Sequence, residues 1–293
     1  MTANRIDGTV IAASIREEVA NRAAALQEAG TVPGLAAVLV GDDPASISYV
    51  SAKSKACEEA GLFSETHHIP AETSQEDLLQ LVDRLNQDER IHGILPQLPL
   101  PGHIDERTVI DSIDPAKDVD GLHPQNLGRL LRGDTSGAIP CTPHGVIQML
   151  RRTGNDPAGK HVVVVGRSTL VGRPLAVLLS NKAEGANATV TVCHTGTKDI
   201  GQHTRLADII VMAAGRPGTL TVEMVKPGAV VIDVGTNRID DASRKRGWRL
   251  VGDVDFANVK EVASWITPVP GGVGPMTIAM LLVNTVRAAE ARG

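Results

Sequence analysis

The sequence predicts an α/β protein of two domains, each built on a mostly parallel sheet. Three observations carry this. The short, wholly apolar run at 35–40 and the four valines that follow His161 in the run 161–165 are bounded by Gly, Pro or polar residues, as strands buried on both faces are. Strand-like and helix-like runs alternate along the chain, the rhythm of βαβ units. The 293 residues suffice for two separate cores.

In order, residues 10–30 are Ala-rich with interspersed charge and stop at Gly30, a surface helix. The strand 35–40 leads through Gly41-Asp42-Asp43-Pro44 into a helix over 46–61, opened by Pro44 and closed by Gly61. A weaker strand, 66–69, precedes a helix over 74–88. That helix has a Ser74…Asp77 capping pattern and an apolar stripe of Leu78, Leu81, Val82 and Leu85. The strand 92–95 and a helix over 104–113 complete this part, and a polar, Gly-rich stretch at 133–140 reads as a connection. Beyond it come a helix (143–152), a strand (161–165), a helix (175–181) and a strand (188–193). A short helix near 199–206, strands 208–213 and 229–234, and a terminal helix over 276–292 follow.

Candidate site residues fall on the loops and helix starts at strand ends, where open α/β sheets bind ligands. Tyr49 and Lys53 are four apart and share a helix face. Lys53 can act as a base only if burial or a neighbour disfavours its charge. On the helix alone the pair reads as a solvated lysine beside a half-buried tyrosine. Gln97 is the polar side chain of the rigid loop Pro96-Gln97-Leu98-Pro99-Leu100-Pro101, where it either aims a hydrogen bond at a ligand or ties down backbone. In Asp118-Val119-Asp120-Gly121 a loop presents one carboxylate inward; caps or a weak cation site are the other readings, and no further acidic cluster supports a metal.

The strand 161–165 runs into Gly166-Arg167-Ser168, then Gly172, then a helix. Strand, glycine turn and helix set backbone N–H groups against a pyrophosphate, in a Rossmann-like succession; a βα turn without a ligand is the rival. At the end of the next strand, where an NAD site has an acid, stand Cys193-His194-Thr195-Gly196-Thr197. A guanidinium at Arg167 and a hydroxyl at Thr195 suit the additional phosphate of NADP. Near the C-terminus, Gly271 and Gly272 would let a flat ring approach backbone. Pro275 and Thr277 lie in the first turn of the last helix, where a purely structural hinge is the alternative.

Composition narrows the class. The chain is 42% hydrophobic, 22% charged and only 2% aromatic, so aliphatic side chains must build the cores. A net charge of −5 argues against nucleic acid, and Arg244-Lys245-Arg246 reads as a solvated loop. Three cysteines without metal spacing suit a reducing compartment, and neither a signal pattern nor a membrane-length apolar run is seen, which suggests a cytoplasmic protein.

Taken together, Tyr49-Val-x-x-Lys53, Gln97-Leu-Pro-Leu-Pro, Lys117-Asp-Val-Asp-Gly121, Pro140-Cys-Thr-Pro143, Val165-Gly-Arg-Ser168, Val171-Gly-x-Pro174, Asp233-Val-Gly235, Val251-Gly-Asp-Val254 and Pro268-Val-Pro-Gly-Gly-Val-Gly-Pro-Met-Thr277 resemble the bifunctional methylenetetrahydrofolate dehydrogenase/methenyltetrahydrofolate cyclohydrolases over nearly the whole chain. The resemblance implies a one-carbon enzyme with NADP as cofactor and no metal. It implies oxidation of 5,10-methylenetetrahydrofolate to the methenyl form, then hydrolysis to 10-formyltetrahydrofolate. Lys53, Tyr49, Gln97 and Asp120 would be its catalytic group, with Lys53 the base, Gln97 its hydrogen-bond partner and Asp120 the acceptor for the pterin. Tyr49, Asp120, Gly271, Gly272, Pro275 and Thr277 would bind substrate; Gly166, Arg167, Ser168, Thr195 and Thr236 would bind NADP. The implied domains are 1–142 plus 275–293, folate-binding and catalytic, and 143–274, NADP-binding and Rossmann-like, with the cleft between them in a homodimer. Pro96, His144 and Thr236 stand where the family more often has Val, a basic residue and Ile. The competing readings are a folate enzyme with one activity, a non-catalytic NADP-binding sensor, and an NADP dehydrogenase of small hydroxy acids.

Overall fold

A computed structural model of the chain describes residues 2–244 and 246–292; Lys245, the middle of the predicted basic loop, lies outside them. In chain order the elements are β1 (Asn4–Arg5), α1 (Gly8–Glu28), β2 (Gly34–Val40), α2 (Pro44–Glu59), β3 (Phe63–Ile69), α3 (Gln75–Gln87), β4 (Gly93–Pro96), α4 (Glu106–Asp111), α5 (Pro124–Leu131) and α6 (Cys141–Arg152). Then come β5 (His161–Val165), α7 (Gly172–Ser180), β6 (Thr189–Cys193), α8 (Gly201–Thr204), β7 (Ile209–Met212), β8 (Val230–Asp233), β9 (Asn237–Asp240), β10 (Trp248–Val251), α9 (Phe256–Val259), β11 (Trp265–Ile266) and α10 (Val273–Glu290). The chain divides into two compact units, one of Ala13–Cys141 with Ile278–Gly293, the other of Met1–Ala12 with Thr142–Thr277.

The first unit has a three-stranded parallel sheet in the order β3-β2-β4. β2 is buried throughout, as a central strand covered on both faces must be, whereas edge strand β3 keeps polar residues. The stripe Leu78, Leu81, Val82 and Leu85 of α3 packs with Val38, Ile94 and Ile104 into one core. Ser74 caps α3, its hydroxyl accepting from Asp77 N at 3.1 Å. Asp43 caps α2 in the same way, accepting from Ser46 N at 2.8 Å with Pro44 at the helix start.

After α4 the chain returns beside β4. Ile94 N donates to Lys117 O at 2.8 Å, and Ile94 forms a parallel bridge with Asp118. This short extension of the sheet carries the next residues to the carboxyl end of β4. Lys117 is almost wholly buried and its Nζ donates to Leu85 O and Asp88 O at 2.8 and 2.7 Å, capping α3 from below.

The second unit has a six-stranded, all-parallel sheet in the order β1-β11-β8-β7-β5-β6. Valines of β5 and aliphatics of β7 and β8 form its core. The strand order reverses direction at β5, whose neighbours are β6 and β7, which is where a doubly wound sheet opens a crevice. β9 and β10 pair apart from this sheet as an antiparallel hairpin.

Candidate active site

Lys53 sits on α2, one turn past Tyr49, and α2 follows the carboxyl end of β2. Its Nζ donates to Gln97 Oε1 at 2.9 Å. The amide orientation is fixed from the other side, because Gln97 Nε2 donates to Leu98 O at 2.7 Å. Gln97 N in turn donates to Val38 O at 2.8 Å, so the residue is an extension of β4 and its backbone is held by the central strand. Pro96, buried at the end of β4, leaves that bond intact.

Asp120 completes the group. Burial pulls the Lys53 ammonium below the ordinary lysine value, against the opposing charges of Asp120 and Cys141. Burial likewise pushes the Asp120 carboxyl up, against the pull of Lys53. Both shifts favour uncharged forms, so a neutral amine is reached at lower pH than for a free lysine. Cys141, hydrogen-bonded to Asp120, is a thiol raised well above its usual range, chiefly by burial.

The two aspartates of the loop have different jobs. Asp118 is buried and accepts from Gly121 N at 2.9 Å, Leu122 N at 3.2 Å, His123 N at 2.8 Å and Asn126 Nδ2 at 2.9 Å. It folds the turn, and Asp120 is left to face the lysine. Gly121 has φ +74°, and a Cβ there would lie 2.5 Å from Pro140 N, so the turn admits only glycine. Asn284 of α10 clamps the same segment, donating to Val119 O and Ile139 O at 2.8 Å each. Sequence reading singled out neither Cys141 nor Asn284 for this site; Asn284 acts across more than a hundred residues, and only the Pro140-Cys-Thr-Pro143 motif hinted at Cys141.

Tyr49 is half exposed on the same helix face as Lys53. A larger cavity, about 820 Å³, lies at the amino ends of β2, β3 and β4 against Phe63, Arg90, His92 and Arg292, and contains none of these groups.

In the other unit a cavity of about 740 Å³ opens at the carboxyl ends of β5, β6 and β7. Gly166, Arg167, Ser168 and Thr195 line it, together with His194, Ala214, Arg216 and Thr219, which the sequence reading did not single out. Thr236 is exposed beyond β8 and does not line it. Gly166 has φ +140°, and a Cβ there would meet Ala213 O at 2.3 Å; a Cβ on Gly172 would meet Gly166 O at 2.1 Å. The turn is therefore as tight as a phosphate-binding βα turn must be, and α7 starts beyond it without a side-chain cap. Arg167 and Arg216 supply positive charge, and no carboxylate stands at the end of β6. These residues fit a phosphorylated dinucleotide.

Of the remaining candidates, the Thr277 and Thr142 hydroxyls share a hydrogen bond of 3.1 Å, and Pro275 is the third residue of α10. Gly271 has φ +95° and its carbonyl accepts from Gly8 N at 2.9 Å; a Cβ on Gly8 would lie 1.8 Å from Gly272 O. These glycines thus have a packing role against the start of α1. Among the described residues no group of three or more His, Cys, Asp or Glu is placed to hold a metal ion.

A buried lysine with a disfavoured charge in one unit and a crevice suited to a dinucleotide in the other have the chemistry of a nucleotide-dependent enzyme. The chain belongs to the tetrahydrofolate dehydrogenase/cyclohydrolase family: the family's catalytic domain matches residues 6–120 and its NAD(P)-binding domain residues 140–293. It is 55% identical to the bifunctional protein FolD of Prosthecochloris aestuarii over 97% of each chain. Among solved structures it is similar to the bifunctional FolD methylenetetrahydrofolate dehydrogenase/cyclohydrolase of Campylobacter jejuni, with a TM-score of 0.94 and 48% identity over 99% of this chain and 100% of that one. It is also similar to the FolD of Trypanosoma brucei complexed with NADP and an inhibitor, with a TM-score of 0.93 and 42% identity over 100% of this chain and 99% of that one.

Proposed function

We propose that the protein oxidises 5,10-methylenetetrahydrofolate to 5,10-methenyltetrahydrofolate with NADP and hydrolyses the product to 10-formyltetrahydrofolate. The observation that carries this reading is the Lys53–Gln97 hydrogen bond of 2.9 Å at a lysine whose charge is disfavoured by burial. Family membership over both domains supports the pairing of that site with a dinucleotide crevice.

In the hydrolytic step the methenyl carbon is already electrophilic, so water needs positioning and removal of one proton. Neutral Lys53 takes that proton as the C–O bond forms, then returns it to the ring nitrogen as the C–N bond breaks. Gln97 offers only its carbonyl oxygen to Nζ and steers the amine's lone pair toward the water. The Asp120 carboxyl faces Lys53 and is the acceptor for the amino-pyrimidine edge of the pterin, with Tyr49 covering the ring. Gly271, Gly272, Pro275 and Thr277 are assigned to the rest of the folate.

Gly166, Arg167 and Ser168 would hold the pyrophosphate and Thr195, with Arg167, the ribose phosphate; Thr236 is assigned to the nicotinamide side. Bound NADP supplies the hydride acceptor. The protein's part in that step is orientation and exclusion of water. The unit with Lys53, Ala13–Cys141 with Ile278–Gly293, is assigned to folate binding and catalysis, and the unit of Met1–Ala12 with Thr142–Thr277 to NADP; the expected bounds, 1–142 with 275–293 and 143–274, differ chiefly at residues 1–12, because β1 pairs with β11 in the nucleotide unit's sheet. The reading includes a homodimer and a cytoplasmic location; three buried, unpaired cysteines support a reducing compartment. Among the described residues no helix is long and apolar enough to cross a membrane.

The test is a paired absorbance assay. Methylenetetrahydrofolate with NADP or NAD is followed for nucleotide reduction, and methenyltetrahydrofolate alone for hydrolysis. Reduction preferring NADP, together with hydrolysis, is expected. Hydrolysis without reduction would leave a single-activity folate enzyme, and neither would reject the reading. Equilibrium sedimentation at twice the chain mass is the matching test of the dimer.

A further inference from the structure

Two buried carboxylates of the nucleotide-binding unit take no part in the chemistry above. Asp253, wholly buried, follows β10; Asp233, 3% exposed, ends β8. Asp253 Oδ2 accepts from Ala214 N at 2.7 Å and Gly215 N at 2.9 Å, while its Oδ1 accepts from Asn237 Nδ2 at 2.8 Å. Asp233 accepts from Gly235 N and Asp253 N at 2.9 Å each and from Val254 N at 3.0 Å. The two acids therefore string together the connections after β7, β8 and β10. The packing leaves no slack. A Cβ on Gly235 would lie 2.2 Å from Asp253 Oδ1, and one on Gly252 would lie 1.9 Å from Asp233 Oδ2.

The turn held by Asp253 matters because Ala214 lines the dinucleotide cavity and Gly215 leads to Arg216, Pro217 and Gly218, which line it too. The same carboxylate, through Asn237, holds the segment that begins at Thr236. We propose that Asp253 is a positioning residue for NADP: its carboxylate fixes the Ala214–Gly215 wall of the cavity and couples it to the chain after β8. It touches no reacting atom. Its effect is on how well the cavity is formed before cofactor arrives, a cost that otherwise appears in affinity. The inference rests on assigning that cavity to NADP.

The bond pattern supplies a specific test. In Asp253→Asn, the remaining oxygen can serve the two backbone N–H groups, but the new amide then confronts the Asn237 amide, donor against donor. Adding Asn237→Asp restores a donor–acceptor pair with the polarity reversed. NADP affinity is read by fluorescence titration, dehydrogenase kcat at saturating NADP, and hydrolysis of methenyltetrahydrofolate without nucleotide.

Asp253→Asn should weaken NADP about tenfold to a hundredfold, the range for a lost charge-assisted hydrogen bond. Saturated kcat and nucleotide-free hydrolysis should stay within about threefold, since the Lys53 site lies in the other unit. The double variant should recover most of the affinity. Unchanged affinity in Asp253→Asn, equal losses in all three readouts, or a double variant that still hydrolyses substrate but shows no recovery would each overturn the proposal. Should Asp253→Asn fail to fold, Asn237→Asp alone carries the test, because it sets a second acceptor against Asp253; NADP affinity equal to wild type would then refute it. Arg167→Ala, run in parallel, separates the two levels. If Arg167→Ala weakens NADP and Asp253→Asn does not, the positioning role falls; if neither does, the cavity assignment falls with it.

Discussion

Gln97→Glu isolates the link between Lys53 and the hydrolytic step. The substitution keeps size and shape but can set an ionised carboxylate where an amide oxygen now lies 2.9 Å from Nζ. An opposite charge within about 4 Å stabilises the ammonium by roughly 1–3 pKa units. That is about 1.4–4 kcal/mol against the neutral base, at 1.36 kcal/mol per unit. In the wild type the balance runs the other way, since burial pulls Lys53 down and its charged neighbours only partly restore it. Below the variant's lysine pKa the active fraction falls in proportion, so hydrolysis at neutral pH should drop about tenfold to a thousandfold. The sign is fixed by the base role: the lost rate should return as pH rises, by up to tenfold per unit. The assay is the decay of methenyltetrahydrofolate absorbance from pH 6.5 to 9, corrected at each pH for the enzyme-free reaction. A variant profile parallel to wild type, or a loss that deepens with pH, would refute the argument that Gln97 keeps Lys53 neutral.

Other consequences are independent of that pair. Arg167→Ala should weaken NADP by at least about tenfold while changing NAD little, as measured by KM for each; equal losses would remove Arg167 from the ribose phosphate. Asp233 should titrate in the folded protein at about 6, raised from 3.8 chiefly by burial. Because the folded state then holds a proton that the unfolded chain has released, this group lowers stability at neutral pH by about 3 kcal/mol and the cost is relieved as pH falls from about 6 toward 4. Carbon-13 spectra of aspartate-labelled protein should show one carboxyl titrating near pH 6 that Asp233→Asn removes; a spectrum without such a titration between pH 5 and 7 would contradict the burial argument.

Much of this fold was legible because burial leaves a direct trace in sequence. β2 and β5 read as strands because both faces are covered, so β2 is apolar throughout and β5 is four valines after a half-buried His161. The bounds of α2 and α3 followed from Pro44 and from the Ser74 cap. What escaped has an equally physical cause. β1 and β11 are two residues each, too short for any period, and pair across 261 positions, Asn4 with Trp265. The β9–β10 hairpin stands apart from the main sheet with alternating, half-exposed residues, so no apolar run marks it. α5 has only eight residues and a glycine in its middle. At the site, Lys53, Gln97 and Asp120 stand out as residue types in suggestive loops, but their meeting came with the family motifs rather than with spacing. The division of labour between Asp118 and Asp120, and the clamp from Asn284, are tertiary facts with no local signal.

The central claim is that one lysine performs the hydrolysis while the nucleotide unit binds NADP independently of it. Lys53→Met tests this most directly, because it keeps the stem of the side chain and removes only the amine. Hydrolysis of methenyltetrahydrofolate should fall by about 10²–10⁴, the usual worth of a positioned base, with NADP affinity equal to wild type. A variant that still hydrolyses within a few-fold of the wild-type rate would contradict the account at its core.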